Sequence, residues 1–302
     1  MSHRPLLVVV TGPTASGKTA LALDLAEALD CEIVSADSRQ VFRDIPIGTA
    51  APTSVERARV PHHLVGFLPL DAAYSAAAYE ADALAVLGSL FARRPVAVVC
   101  GGSMMYVDAL VRGIDDMPSI SDDVRRKVLD FYASQGAEAL LAWLEIIDPE
   151  MYRIVDWRNM KRVIHAVEIT LQAGVPASSL RTGQAKERPF DVLKLCIDMP
   201  REQLFARINA RVDTMMDAGF LEEARSVYPM RNLNSLNTVG YKELFAFFDG
   251  AMDLPTAVAR IAKNTRVYAK KQLTWLARDA QLHRLQPDAA LEQALALITP
   301  KL

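Results

Sequence analysis

Cysteine is scarce. Cys31, Cys100 and Cys196 are the three in 302 residues, and no two form a C-x-x-C pair. Spacing this wide excludes a disulfide framework and a thiolate zinc site, and free thiols suit a reducing compartment. Long apolar runs are missing as well. The run inside MSHRPLLVVVTGPT is about six residues, too short for a secretion signal or a membrane span, and reads as a first buried strand. Charge of one sign is missing: 34 Lys and Arg face 36 Asp and Glu, a net charge of -2. Whole-chain charge therefore gives no argument for nucleic acid, and any basic face has to be local. No internal repeat or low-complexity segment occurs. What is present is a 51% hydrophobic composition, enough to bury one large core or two smaller ones. Together these features predict a soluble cytoplasmic protein without membrane segments.

The apolar pattern alternates between short and long segments. Leu6 to Val10 is a β-branched-rich run ending in a Gly-rich turn, and Lys18 to Leu29 has helical periodicity. Strand, glycine loop, helix is the opening of a βαβ unit. Cys31 to Ser35 and Pro95 to Cys100 read as further strands, with a helix at Ala76 to Phe91 between them. Apolar strands separated by helices predict a parallel sheet covered on both faces. From Ser121 the pattern changes. Ser121-Asp122-Asp123 reads as a helix N-cap with an acidic first turn, and no strand-like run follows until after Ser179. Val192 to Ile197 returns to strand, and Gln203 to Tyr228 and Pro255 to Ala280 read as helices. The fold class is α/β: a parallel-sheet core of the P-loop nucleoside-triphosphate-hydrolase type, residues 1–118 and 180–302, with a mainly helical insertion at 119–179.

The glycine loop carries the chemistry. Gly12-Pro13-Thr14-Ala15-Ser16-Gly17-Lys18-Thr19 fits G-x-x-x-x-G-K-S/T, and it follows a strand and opens a helix as that motif requires. Backbone N–H groups of such a loop turn inward around phosphate oxygens, and the helix adds its positive end. Lys18 supplies a full charge, and Thr19 offers a hydroxyl to Mg²⁺. The motif does not say which phosphate is bound. Nucleotide-hydrolysing enzymes usually add an apolar strand ending in Asp to hold the metal. Here the strand Val96 to Cys100 ends in Gly101-Gly102-Ser103 instead. The carboxylate at a strand end is Asp37. In a parallel sheet it shares an edge with the phosphate loop, where it serves as metal ligand, general base or turn cap.

Nine blocks in order then resemble the tRNA dimethylallyltransferase (isopentenyl-diphosphate:tRNA isopentenyltransferase) family. They are GPTASGKT, SADSRQVF, DIPIGTAAPT, PHHLVGF, YSAAAYEADA, CGGSMMYVDALVRG, NMKRVIHAVEI, LNTVGYKEL and RVYAKKQLTWL, covering about Val8 to Trp275. The resemblance implies transfer of a five-carbon prenyl group from dimethylallyl diphosphate to N6 of the adenine 3′ of the anticodon (position 37), in tRNAs reading codons that begin with U. Diphosphate leaves, so a phosphate loop without a hydrolase-type metal strand is expected. By the same resemblance Asp37 is the general base toward the amine, Ser103 stands near the diphosphate and the attacked carbon, and Arg225 joins Gly12 to Thr19 in binding diphosphate with Mg²⁺. The tRNA contacts it implies are Asp37, Ser38, Arg39, Gln40, Ser103, Arg125, Lys161, Arg162, Val163, Ile164, His165, Asn237, Thr238, Val239, Gly240, Tyr241 and Lys242. The helical insertion is expected to clamp the anticodon stem-loop.

The last long helix adds support from the residues themselves. Lys263, Arg266 and Lys270 fall at i, i+3 and i+7 on one face, with Tyr268 and Trp275 on another. A solvated charged face over buried aromatics gives the same pattern. The chain departs from the family at Ala51, where Lys is common, and at His165 and Ala277, where Arg is common, and each change takes away one possible phosphate contact. A compact bacterial form is expected, without a C-terminal Cys/His finger, acting as a monomer with no obligate protein partner. Two other activities remain open: a P-loop kinase binding ATP, and an adenylate isopentenyltransferase.

Overall fold

A computed structural model describes residues 4–302. The chain divides into two compact units: residues up to Arg112 together with those from Glu187 onward, and Gly113–Lys186. In the first unit β1 (Leu6–Thr11) leads through the glycine loop into α1 (Lys18–Ala28). β2 (Ile33–Ser35), α2 (Ser54–Arg59), β3 (His62–His63), α3 (Ala76–Phe91), β4 (Val96–Gly101) and α4 (Met104–Arg112) follow. The second unit holds α5 (Asp122–Ile147), α6 (Pro149–Ile154), α7 (Met160–Ala173) and α8 (Ala177–Leu180). The first unit resumes with β5 (Asp191–Ile197), α9 (Arg201–Asp217), α10 (Phe220–Val227), α11 (Tyr241–Phe248), α12 (Leu254–Leu276), β6 (Leu282–Leu285) and α13 (Ala290–Ile298).

The six strands form one sheet in the order β3-β2-β4-β1-β5-β6, every pair parallel. β1 is central, and all six of its residues are buried. Its side chains alternate between two cores. Leu7 and Val9 face a cluster with Tyr79, Leu87 and Leu110, while Leu6, Val8 and Val10 face one with Leu21, Leu25 and Ile298. This double burial is why β1 and β4 read as continuous apolar runs in the sequence.

Several boundaries differ from the sequence expectation for local reasons. β2 starts at Ile33 rather than Cys31, because Asp30 turns at φ 48° and the Cys31 N–H still bonds the Ala26 carbonyl at 2.9 Å. The expected helix from Gln203 to Tyr228 is two helices, broken at Gly219 with φ 95°. β3, β6 and α13 were not anticipated. β3 has two residues, and β6 alternates poorly because it pairs with β5 at the sheet edge.

The second unit is helical, with no strand among its residues. Ser121 caps α5, its side chain accepting from the Val124 N–H, and Gly136 at φ 83° breaks that helix. The core is formed by Val128, Leu140, Leu144, Met151, Val163 and Val167. Asp148 is fully buried and accepts from the Met151 N–H (2.9 Å), the Ser178 N–H (2.8 Å) and the Ser178 hydroxyl (2.6 Å), tying α6 to α8. Among the described residues no helix is long and apolar enough to cross a membrane.

Candidate active site

The C-terminal ends of β1, β2 and β4 lie side by side, so the loops that follow them meet at one edge. This is where open parallel sheets bind ligands. The phosphate loop wraps the end of β1. Gly17 adopts φ 93° as the N-cap of α1, a left-handed conformation that a side chain would disfavour. Inside the loop the Ser16 hydroxyl is buried with no protein partner. The strand end at Gly101 and Gly102 is equally tight. A Cβ on Gly101 would sit 2.1 Å from the Ala36 carbonyl oxygen, and one on Gly102 2.5 Å from Gln272 Nε2. The glycines after β4 therefore let the β2 end, the phosphate loop and α12 close on one another.

The cleft so formed has a volume of about 380 Å³ and is lined by Thr14, Lys18 and Thr19, by Asp37 to Gln40, by Arg211 from α9, by Asn237 to Val239 and Lys242, and by Tyr268 and Gln272 from α12. Two helices point their N-termini into this edge: α1, through the phosphate loop, and α4, which begins just after Ser103. The Ser103 carbonyl accepts from the Tyr106 and Val107 N–H groups at 3.0 Å, and its own N–H donates to the Ala36 carbonyl at 3.1 Å. Ser103 is thus pinned to the residue before Asp37.

Asp37 closes a turn with one oxygen only. Oδ1 accepts from the Arg39 N–H at 2.9 Å and the Gln40 N–H at 3.4 Å. Its other oxygen makes no hydrogen bond among the described residues and remains available to the cleft. Around this carboxylate stand three cations, each held below its ordinary pKa chiefly by burial. For Lys18 the Arg211 charge adds to the effect, and the Cys100 thiol and Asp37 oppose it. For Arg211 the opposing group is Asp37. For Arg39 the opposing groups are Asp37, Tyr106 and Tyr268. Buried cations in excess over carboxylates favour a multiply charged anion as ligand.

Other side chains fix the walls. Arg39 donates from Nη1 to the Asn234 and Ser235 carbonyls, both at 3.0 Å, holding the loop after β2 against the segment before α11. Gln40 donates to the Ala50 carbonyl at 2.9 Å and accepts from the Ser35 hydroxyl at 3.2 Å. Glu223 accepts from the Ile47 and Gly48 N–H groups, both at 2.7 Å, and so shapes the loop that carries Ala51.

The structure separates the residues expected at the site. The phosphate loop, Asp37 to Gln40, Asn237, Thr238, Val239 and Lys242 are brought together. Gly240 and Tyr241 are not surface contacts. Tyr241 is fully buried, donates its hydroxyl to Glu223 and packs edge-on against Phe220 at 5.1 Å. Arg225 does not line the cleft. It is exposed on α10, with its guanidinium 5.3 Å from the Phe248 ring centre. The cleft-lining arginine is Arg211, whose sequence signal was only its place on a helix of unknown facing. In the second unit Lys161 and Arg162 are exposed, but Val163 is fully buried in the core and Ile164 packs against it. There Arg125 and His165 both reach the buried Glu168 carboxylate, at 3.6 and 3.2 Å. On α12 the basic face is partly spent internally. Arg266 donates to Asn209, and Lys270 lies 5.7 Å from the Phe205 ring centre, leaving Lys263 without a side-chain partner among the described residues. Gln272 was missed entirely, since an isolated Gln in a basic helix gives no signal of its own.

A parallel α/β sheet with a phosphate loop at its edge defines a P-loop protein, and here buried cations and an unpaired carboxylate oxygen share that edge. Comparison with known proteins narrows this class. The sequence model of the IPP transferase family matches residues 40–279. A "tRNA dimethylallyltransferase 1" of Bacteroides thetaiotaomicron is 51% identical over 95% of this chain and 94% of its own. A "tRNA dimethylallyltransferase 2" of Porphyromonas gingivalis is 51% identical over 97% and 98%. Among solved structures, the full-length tRNA isopentenylpyrophosphate transferase of Bacillus halodurans matches with a TM-score of 0.72 at 32% identity, covering 99% of this chain and 96% of that one. A eukaryotic dimethylallyltransferase captured acting on tRNA matches with a TM-score of 0.87 at 26% identity, covering 98% and 79%. The chain belongs to the IPP transferase family.

Proposed function

We infer that this protein transfers a dimethylallyl group from dimethylallyl diphosphate to N6 of an adenine in tRNA, releasing diphosphate. The observation that carries the reading is the cleft itself, where the free oxygen of Asp37 shares one cavity with the phosphate loop, Lys18 and Arg211. An exocyclic amine is a weak nucleophile, because its lone pair is delocalised into the ring. As the N6–C1 bond forms and the C1–O bond breaks, the electron pair leaves with diphosphate and the amine proton passes to Asp37. Lys18, Arg211 and the two helix N-termini meet the growing charge on the leaving group. Mg²⁺ supplies further neutralisation of the diphosphate when bound. Thr19 in the loop would offer it a hydroxyl.

The adenine is the one 3′ of the anticodon, position 37, in tRNAs reading codons that begin with U. It must leave the loop's stack to enter the cleft, at a cost lower than extrusion from a duplex. Asn237 to Val239, Lys242 and Arg39 form the tRNA side of the cleft. The helical unit at 113–186 holds the anticodon stem-loop through Arg125, Lys161, Arg162 and His165. The setting is the cytoplasm, with the protein acting as a monomer. The test is incubation with radiolabelled dimethylallyl diphosphate, Mg²⁺ and unmodified tRNA. Label in the RNA at that adenine is expected. Label in free AMP but not in tRNA, or ATP consumption without prenyl transfer, overturns the reading.

A further inference from the structure

Gln272 stands out among the buried polar residues because it does two jobs with one amide. It is 3% exposed and lies on the face of α12 that also brings Thr265 and Tyr268 to the cleft. Its Oε1 accepts from the Thr14 N–H in the phosphate loop at 3.0 Å, and its Nε2 donates to the Gly102 carbonyl after β4 at 2.8 Å. The approach is close: a Cβ on Gly102 would sit 2.5 Å from Nε2 and 3.6 Å from Lys18 Nζ, so a side chain there would push the Gln272 amide out of its place. One helical turn further on, Trp275 donates to Asp108 of α4 at 3.1 Å, so the same helix is tied a second time to the segment that starts at Ser103.

We propose that Gln272 is a positioning residue for the transfer reaction. Its planar amide fixes the spacing between Thr14 and the Gly102–Ser103 strand end, and thereby the placement of the Thr14 and Ser103 hydroxyls about the diphosphate. A buried amide with both ends bonded has one low-energy orientation, because a flip would set donor against donor and acceptor against acceptor. The Thr14 N–H is consumed by Gln272, so that amide is spent on α12 while Thr14 lines the cleft. α12 thus reaches the phosphate cradle directly, while its Lys263 and Lys271 remain exposed. The proposal rests on the function inferred above.

Two substitutions test it. Gln272→Met keeps the volume and removes both hydrogen bonds. It should raise KM for dimethylallyl diphosphate and Kd for inorganic diphosphate about tenfold, the scale of one lost buried hydrogen bond, and lower kcat, while affinity for an anticodon stem-loop RNA stays within about twofold. Gln272→Glu leaves an acceptor for the Thr14 N–H but sets a carboxylate against the Gly102 carbonyl. Protonation restores the original donor–acceptor pattern, so its kcat/KM should recover on going from about pH 8 to about pH 6, relative to the unsubstituted protein at each pH. A residue that only stabilised the fold would not give this split between donor and RNA, nor the pH rescue in a protein folded at both values. Unchanged donor KM and diphosphate Kd in both variants, equal losses for donor and RNA, or no recovery at low pH would each overturn the proposal. If the unsubstituted protein moved no dimethylallyl group to RNA, the inferred function would fall, yet the diphosphate-binding comparison would still decide the role of Gln272.

Discussion

Gly101→Ala is expected to do damage out of proportion to one methyl group. A Cβ at this position would lie 2.1, 2.3 and 2.7 Å from the Ala36 oxygen, carbonyl carbon and Cα. All three are backbone atoms of the neighbouring strand end, so no rotamer change relieves the contact. β4 and β2 must separate locally, although they are held by the Ala36 N–H to Cys100 carbonyl bond at 2.8 Å and the Ser103 N–H to Ala36 carbonyl bond at 3.1 Å. Overpacking against yielding side chains costs about 1–3 kcal/mol, and a rigid backbone places this case at the upper end or above. For a unit of this size about 3 kcal/mol lowers Tm by roughly 6–12 °C. Asp37 follows Ala36 directly, so kcat should fall as well. Gly88→Ala is the control. It lies inside α3, where an added Cβ would meet nothing within 4 Å, and it should raise stability by about 0.5–1 kcal/mol. Thermal melts of the two variants beside the parent decide the matter. A Gly101→Ala protein melting within about 1 °C of the parent would refute the steric argument.

Asp37→Asn keeps an oxygen for the turn but removes the proton acceptor, so turnover in the prenyl-transfer assay should fall about 10²- to 10⁴-fold with RNA binding retained; near-normal turnover would remove Asp37 from the chemistry. Arg211→Ala should raise KM for dimethylallyl diphosphate at least about tenfold, whereas Arg225→Ala should leave it within about twofold, and the reverse result would return the role to Arg225. Lys18→Met should abolish diphosphate binding yet raise the Tm of the ligand-free protein. Burial lowers the Lys18 pKa in the folded state, so the unfolded chain holds that proton more tightly. The charged side chain therefore opposes folding at neutral pH, and this opposition fades as pH rises through the lowered value. The Tm gain should shrink accordingly in alkaline buffer. Burial also pushes the Cys100 and Cys196 thiols up to about 11 and Cys31 to about 12. Thiolate at pH 8 is then scarce, and a thiol reagent should react with the native protein far more slowly than with the three thiols of the unfolded chain.

The sequence by itself determined the parts whose physics is local. Short apolar runs marked β1, β4 and β5, and Ala/Leu-rich helical periodicity marked α1 and α3, because a strand inside a covered sheet and an amphipathic helix leave those patterns whatever surrounds them. The phosphate loop was legible because its function lies in backbone N–H groups of consecutive residues, which demand glycine at fixed spacing. The Ser121 cap was legible for the same reason, as its partner is three residues away. Tertiary structure alone decided what depends on facing and on distant neighbours. Arg211 and Arg225 sit on successive helices with similar local surroundings, and only the packing of α9 against α12, through Leu204, Ile208 and Ala269, turns one guanidinium into the cleft and leaves the other over Phe248. Val163 and Tyr241 lie inside otherwise surface-like blocks, and only the cores they fill make them packing residues. The Gln272 amide joins residues 258 and 170 positions away in the chain, contacts that no local pattern encodes because they exist only once the β1, β4 and α12 ends have met.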